Sequence, residues 1–147
     1  MKEIEDYVRE FKENDEIIGF LEFIDEVGVE KWLSDITKDS HTYYYLFYVD
    51  DVLVGMYRIT PAPNHDASGM IGYSIRRSQR GKGYGSLMLG EIRRKCHDLG
   101  MIIITACVAE DNDRSSHLLV RNFFDPTGKM FRWIDGRIAL EYAYELF

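Results

Sequence analysis

Cysteine is scarce in this chain, with two in 147 residues. Cys96 and Cys107 lack the paired spacing of a metal site, so no metal is expected, and a reducing, cytoplasmic setting fits. No apolar stretch approaches the ~20 residues needed to span a bilayer, so no membrane role is expected. The opening Met1-Lys2-Glu3-Ile4-Glu5-Asp6 is acidic and lacks the basic-then-apolar order of a signal peptide. Positive charge is also in deficit: 18 Lys and Arg stand against 25 Asp and Glu, for a formal net charge of −7. A nucleic-acid binder carries a basic footprint, and none is visible. The few basic clusters are Arg76-Arg77, Arg80 with Lys82, and Arg93-Arg94-Lys95, the last reading as a solvated helix face. An acidic body around a basic pocket favours a cationic partner such as an amine.

What is present is enough for one core. The length is that of a common single domain, and 46% of residues are hydrophobic. Repeats, low-complexity runs and linkers are lacking, so residues 1–147 read as one α/β domain. Ile4, Tyr7, Val8 and Phe11 recur at helical spacing, as do Ile17, Ile18, Leu21 and Ile24, and a short helix near Trp32 to Ile36 follows. Tyr43 to Tyr48 is aromatic and β-prone. Asp50-Asp51 turns it into a second strand, Val52 to Thr60. Pro61 to Asp66 reads as a loop, and Met70 to Ile75 as the third strand of a meander. A helix from Tyr84 to Leu99 buries Met88, Ile92, Cys96 and Leu99, and Gly100 stops it. Met101 to Val108 runs without alternation, as a strand covered on both faces does. Strand, helix and strand then form a βαβ crossover. A helix opening at Asp111-Asn112-Asp113 would pack through Leu118, Leu119 and Phe123. Pro126-Thr127-Gly128 reads as a turn. Met130 to Ile134 and Ile138 to Tyr144 read as strands joined at Asp135-Gly136.

The stretch that carries chemistry is Arg80-Gly81-Lys82-Gly83-Tyr84-Gly85-Ser86, between the third strand and the long helix. Its glycines allow positive φ and let backbone N–H groups face an anion at the open helix start. Arg80 and Lys82 add mobile positive charge at its rim. The Walker A spacing is absent, and Gly-x-Gly-x-x-Gly fails because Ser86 or Met88 stands at its last position.

What remains, Arg80 with Gly83 and Gly85, resembles the acyl-CoA pyrophosphate loop of the GNAT N-acetyltransferase superfamily. Asn112, Ser115 and Leu118 match a second landmark of that family, after the crossover strand. Gly72 to Arg76, Trp32-Leu33, Val54-Gly55-Met56 and Phe131 to Ile134 look like a bacterial group of predicted GNAT acetyltransferases. The resemblance implies a GNAT-like mixed sheet with an antiparallel meander, one βαβ crossover and flanking helices. It implies acetyl-CoA as cosubstrate, with its pantetheine arm in a wedge between two splayed parallel strands. Carried over, Tyr73, Ser74 and Ile75 would offer backbone groups to the pantetheine amides. Arg80, Gly81, Lys82, Gly83, Tyr84, Gly85 and Ser86 would hold the pyrophosphate. Asn112 would contact the pantetheine side, with Ser115 nearby; both also fit plain helix capping.

Three departures stand out. The family often has a tyrosine, as general acid, where this chain has Leu119. It often has Gly-Phe where Phe123-Phe124 stands. Its fold usually opens with a strand, and this chain opens with an apparent helix. The expected reaction is transfer of acetyl to a primary amine of a small molecule or peptide, by direct attack in a ternary complex. The catalytic residue is not fixed by the sequence. Glu110, with Asp111 and Asp113, His117 and Tyr142 are candidates, and His41, His65 and Tyr144 are further ones. Each also has an ordinary structural role open to it. The acceptor side is assigned to variable loops, Asp15 to Ser40 and Pro61 to Gly69. The apolar end, Leu146-Phe147, is compatible with a homodimer. A non-catalytic acyl-CoA-binding or sensor module of the same fold is the alternative, and an unrelated phosphate binder is a third.

Overall fold

The computed structural model describes residues 42–63, 67–133 and 136–146. The expected helices before residue 41, the missing opening strand, His41, His65 and most of the assigned acceptor loops lie outside these residues.

Strands β1 (Tyr43–Val49), β2 (Val52–Pro61) and β3 (Ser68–Ile75) lead through a 3-10 turn (Arg77–Gln79) to helix α1 (Tyr84–Asp98). Strand β4 (Ile103–Ala109), helix α2 (Asp113–Arg121) and strands β5 (Asp125–Arg132) and β6 (Ile138–Glu145) follow. The strands make one six-stranded mixed sheet in the order β1-β2-β3-β4-β6-β5. The fold is therefore α/β, with the meander and the βαβ crossover the sequence predicts. Pairing of β3 with β4 is parallel and runs from Ser68↔Ile103 to Ile71↔Ala106, leaving the last half of β3 beyond these pairs.

The chain divides into two compact units. The described part of the first is residues 42–58 with 73–84. There Asp50 and Asp51 both take positive φ, +50° and +64°, the two-residue geometry that matches strand twist in a tight hairpin. Phe47, Leu53, Val54, Met56 and Tyr57 are buried, and Tyr45 stacks on Tyr57 with ring centroids 4.8 Å apart.

The second unit comprises residues 59–72 and 85–147. Its core joins Ile59 and Ile71 to Met88, Leu89, Ile92 and Cys96 of α1, Ile104 and Ala106 of β4, Leu119, Phe124 and Ala139. Leu99 is not in the predicted stripe: it follows the end of α1 and is exposed. Nor is Phe123, which is 78% exposed, while its neighbour Phe124 is buried. The swap follows from how α2 ends. Phe123 N–H donates to the Val120 carbonyl and Phe124 N–H to that of Leu119. That is a Schellman closure, with Phe123 at the left-handed position, φ +69°. Helix α1 closes the same way: Gly100 N–H donates to His97 and Met101 N–H to Cys96, with Gly100 at φ +81°.

Two turn assignments change. Pro61 is the last residue of β2, and the loop follows it. Pro126-Thr127-Gly128 is not a turn but part of β5, an edge strand where proline costs no ladder bond. Pro126 pairs with Tyr142 and Met130 with Leu140. Thr127, Gly128 and Lys129 bulge out between them, with Gly128 at φ +86°. Thr127 Oγ1 fixes the bulge, donating to Glu141 Oε1 at 2.9 Å and accepting from Lys129 N–H at 3.2 Å.

Candidate functional site

The residues of interest fall in both units. In the first, Ser74 is buried at the end of β3, with Tyr73 and Ile75 half-buried beside it. The chain leaves this strand through the 3-10 turn, and Arg80 reaches back to it. Arg80 Nε donates to the Ile75 carbonyl at 3.0 Å, and Arg80 N–H to that of Arg77 at 3.3 Å. Arg80 is therefore anchored and is not the mobile rim charge the sequence suggests. Lys82 is exposed, its Nζ 3.2 Å from Gln79 Oε1.

Gly81 and Gly83 sit at φ +77° and +80°. These values are the left-handed conformation that glycine adopts at least cost. Among the described residues a β-carbon built on either would meet nothing within 4 Å, so packing against them does not explain the two glycines. Helix α1 starts at Tyr84, and the first N–H groups of a helix lack internal acceptors. Among the described residues, no backbone N–H from Gly81 to Ser86 donates to the protein. A run of bare donors ended by a helix N-terminus is a geometry that binds anions.

Gly85 and Ser86 belong to the second unit. Gly85 is not at positive φ; a β-carbon there would lie 2.9 Å from Leu118 Cδ2, so this glycine serves the packing of α1 on α2. Ser86 Oγ accepts from Asn122 Nδ2 at 3.1 Å, and the same amide donates to the Leu118 carbonyl at 2.8 Å. Asn122 is buried. Sequence reasoning misses it because asparagine after a helix reads as an ordinary end cap.

Asn112 caps α2: its Oδ1 accepts from Ser115 N–H at 3.2 Å. Glu110, Asp111 and Asp113 are exposed around the end of β4, and Glu110 N–H donates to the Ile138 carbonyl at 2.9 Å. His117 is exposed on α2. Tyr142 is buried in β6, paired with Ala106 on one side and Pro126 on the other. Tyr144 lies against Phe124, ring centroids 5.2 Å apart. Leu119, at the family's tyrosine position, is fully buried. In the first unit Arg58 of β2 holds its Nε buried with no hydrogen-bond partner among the described residues, a feature the alternating strand pattern hides. Among the described residues no group of three or more His, Cys, Asp or Glu could hold a metal ion, and no helix is long and apolar enough to cross a membrane.

The chain matches the acetyltransferase (GNAT) family over residues 4–123 and belongs to that family. The microcin self-immunity acetyltransferase MccE, solved with acetyl-CoA and AMP, matches with a TM-score of 0.80 at 14% identity, over 98% of this chain and 86% of that one. An acetyltransferase from Salmonella typhimurium that modifies the N-terminal serine of a 50S ribosomal subunit protein matches with a TM-score of 0.74 at 17% identity, over 98% and 88%. A chimera of the Vibrio cholerae spermidine N-acetyltransferase SpeG matches with a TM-score of 0.70 at 15% identity, over 80% and 75%. At these identities the likeness is one of fold. No curated protein sequence matches the chain.

Proposed function

We propose that this GNAT protein is an acetyl-CoA-dependent N-acetyltransferase, a single domain that moves acetyl to a primary amine by direct attack in a ternary complex. The observation that carries the reading is the run of N–H groups from Gly81 to Ser86 with no acceptor among the described residues. These amides would hold the diphosphate, with charge from Arg80 and Lys82. By the family resemblance, Tyr73, Ser74 and Ile75 would offer backbone groups to the pantetheine amides, and Asn112 would contact the pantetheine side, with Ser115 nearby. Acetyl-CoA supplies an acyl thioester whose thiol leaves readily, with a pKa near the ~8.5 of cysteine. Little acid help is then needed, which is compatible with Leu119. The acceptor is a small amine or a peptide amine. An alkylammonium of pKa ~10.4 must lose a proton before it attacks. Glu110, with Asp111 and Asp113, and His117 are exposed proton acceptors among the described residues. Buried Tyr142 is assigned to sheet packing.

Complete burial of Leu119 favours a second reading, a module that binds acyl-CoA without turning it over. Calorimetry with acetyl-CoA and a free-thiol assay across polyamines, aminoglycosides and peptides separate the two. The first reading expects saturable binding and amine-dependent thiol release. Binding without release on any amine leaves the second. No binding of acetyl-CoA removes both.

A further inference from the structure

The second unit carries a cationic notch that the acyl-CoA reading leaves unused. Arg93 and Arg94 stand three and four residues after Gly90, the spacing at which helical side chains lean over the earlier position. Gly90 has no side chain to fill the space. A β-carbon built there would lie 3.8 Å from Arg94 Nη1 and 3.9 Å from Arg93 Nη2. Both guanidinium groups therefore converge over bare backbone. Arg93 is held in place: its guanidinium lies 5.2 Å from the Tyr144 ring centroid, and its Nη1 is 3.5 Å from the Asn122 carbonyl. Arg94 is exposed. Among the described residues neither arginine has a carboxylate within ion-pair distance; the acid at this site, Asp98, sits 3.8 Å from His97 Nδ1.

Like charges gathered at one spot repel, and here they do so on a chain whose net charge is −7. They border an open surface groove of about 430 Å³, lined also by His97, Asp98, Tyr144 and Leu146. A guanidinium fork matches phosphate oxygens in pairs. We propose that this groove binds a small phosphomonoester: Arg93 and Arg94 hold the dianion over Gly90, and Tyr144 and Leu146 lie against its apolar body. The site shares no residue with the loop from Arg80 to Ser86, and the proposal holds whichever ligand that loop takes.

Phenyl phosphate is the probe, titrated into the full chain and followed by backbone amide resonances. Saturable shifts are expected at Gly90, Arg94 and His97. Arg94→Gln, a change at an exposed side chain, should raise the dissociation constant roughly tenfold or more, with the helix content of the protein unchanged. Three results would overturn the proposal: shifts confined to Gly81–Ser86, an unchanged constant in Arg94→Gln, or equal affinity for uncharged phenol.

Discussion

Gly85 and Leu118 meet where any larger residue would collide, since a β-carbon on Gly85 would stand 2.9 Å from Leu118 Cδ2. The obstacle is the end of a flexible side chain, so Gly85→Ala is expected to fold and to cost about 1 kcal/mol, the low end for overpacking. Leu118→Ala in the same chain should recover most of that loss. Urea denaturation of the two single variants and the double variant measures the coupling.

Asn122 is a buried amide that binds Ser86 Oγ and the Leu118 carbonyl together. Asn122→Ala removes both bonds and is expected to cost about 1–3 kcal/mol, the range for hydrogen bonds lost from a buried site. Asn122→Asp should cost at least as much, since a carboxylate offers no N–H to either partner. Thermal and urea unfolding check both.

Two Schellman closures, one with Gly100 and one with Phe123, make a natural comparison. A side chain in the left-handed region costs about 1–2 kcal/mol, and Phe123 is too exposed to recover much by burial. Phe123→Gly should therefore stabilise the protein by about 0.5–1 kcal/mol, after the entropy glycine loses on folding. Gly100→Ala should destabilise it by about 1 kcal/mol. The midpoints of urea unfolding should move in opposite directions.

Gly83 has positive φ and open space around it. Gly83→Ala should lower stability by about 1 kcal/mol through backbone strain. If the loop grips acetyl-CoA, the same change should weaken binding roughly tenfold or more, because the methyl enters space meant for ligand. Calorimetry beside a stability curve separates the two effects. An affinity equal to wild type would show that the loop is not the grip.

Burial raises the Cys96 thiol from 9.0 to about 12. The unfolded thiol ionises first, near its ordinary value, while the native one keeps its proton. Stability from this group is therefore whole below pH 9.0 and is lost as pH rises toward about 12. The difference in urea midpoint between wild type and Cys96→Ala should change across that window and stay level below it. In the native protein, half-buried Cys107 should react with a thiol reagent before Cys96 does.

Much of the fold is legible because local chemistry agrees with it. Asp50-Asp51 marks a hairpin, and the apolar run after Gly100 marks a buried strand. The errors have physical causes. Pro126-Thr127-Gly128 has turn composition, and only its place at the sheet edge makes it a bulged strand. Phe123 and Phe124 are chemically alike, so nothing local says which closes α2 and which fills the core. The phosphate-type loop is legible from glycine spacing, but Gly85 proves to be a packing residue, and Arg80 proves to be tethered. The bond from Asn122 to Ser86 and the hold of Tyr144 and Asn122 on Arg93 join elements far apart in sequence, which no short motif encodes.

The kink that Thr127, Gly128 and Lys129 put into β5 limits pairing along this border of the sheet. An outermost strand with regular pleating is an open invitation to stack, molecule upon molecule, into fibres. Here the row of backbone donors and acceptors is broken midway. A second copy arriving at that border must be recognised by side chains, since a continuous intermolecular ribbon cannot form across it.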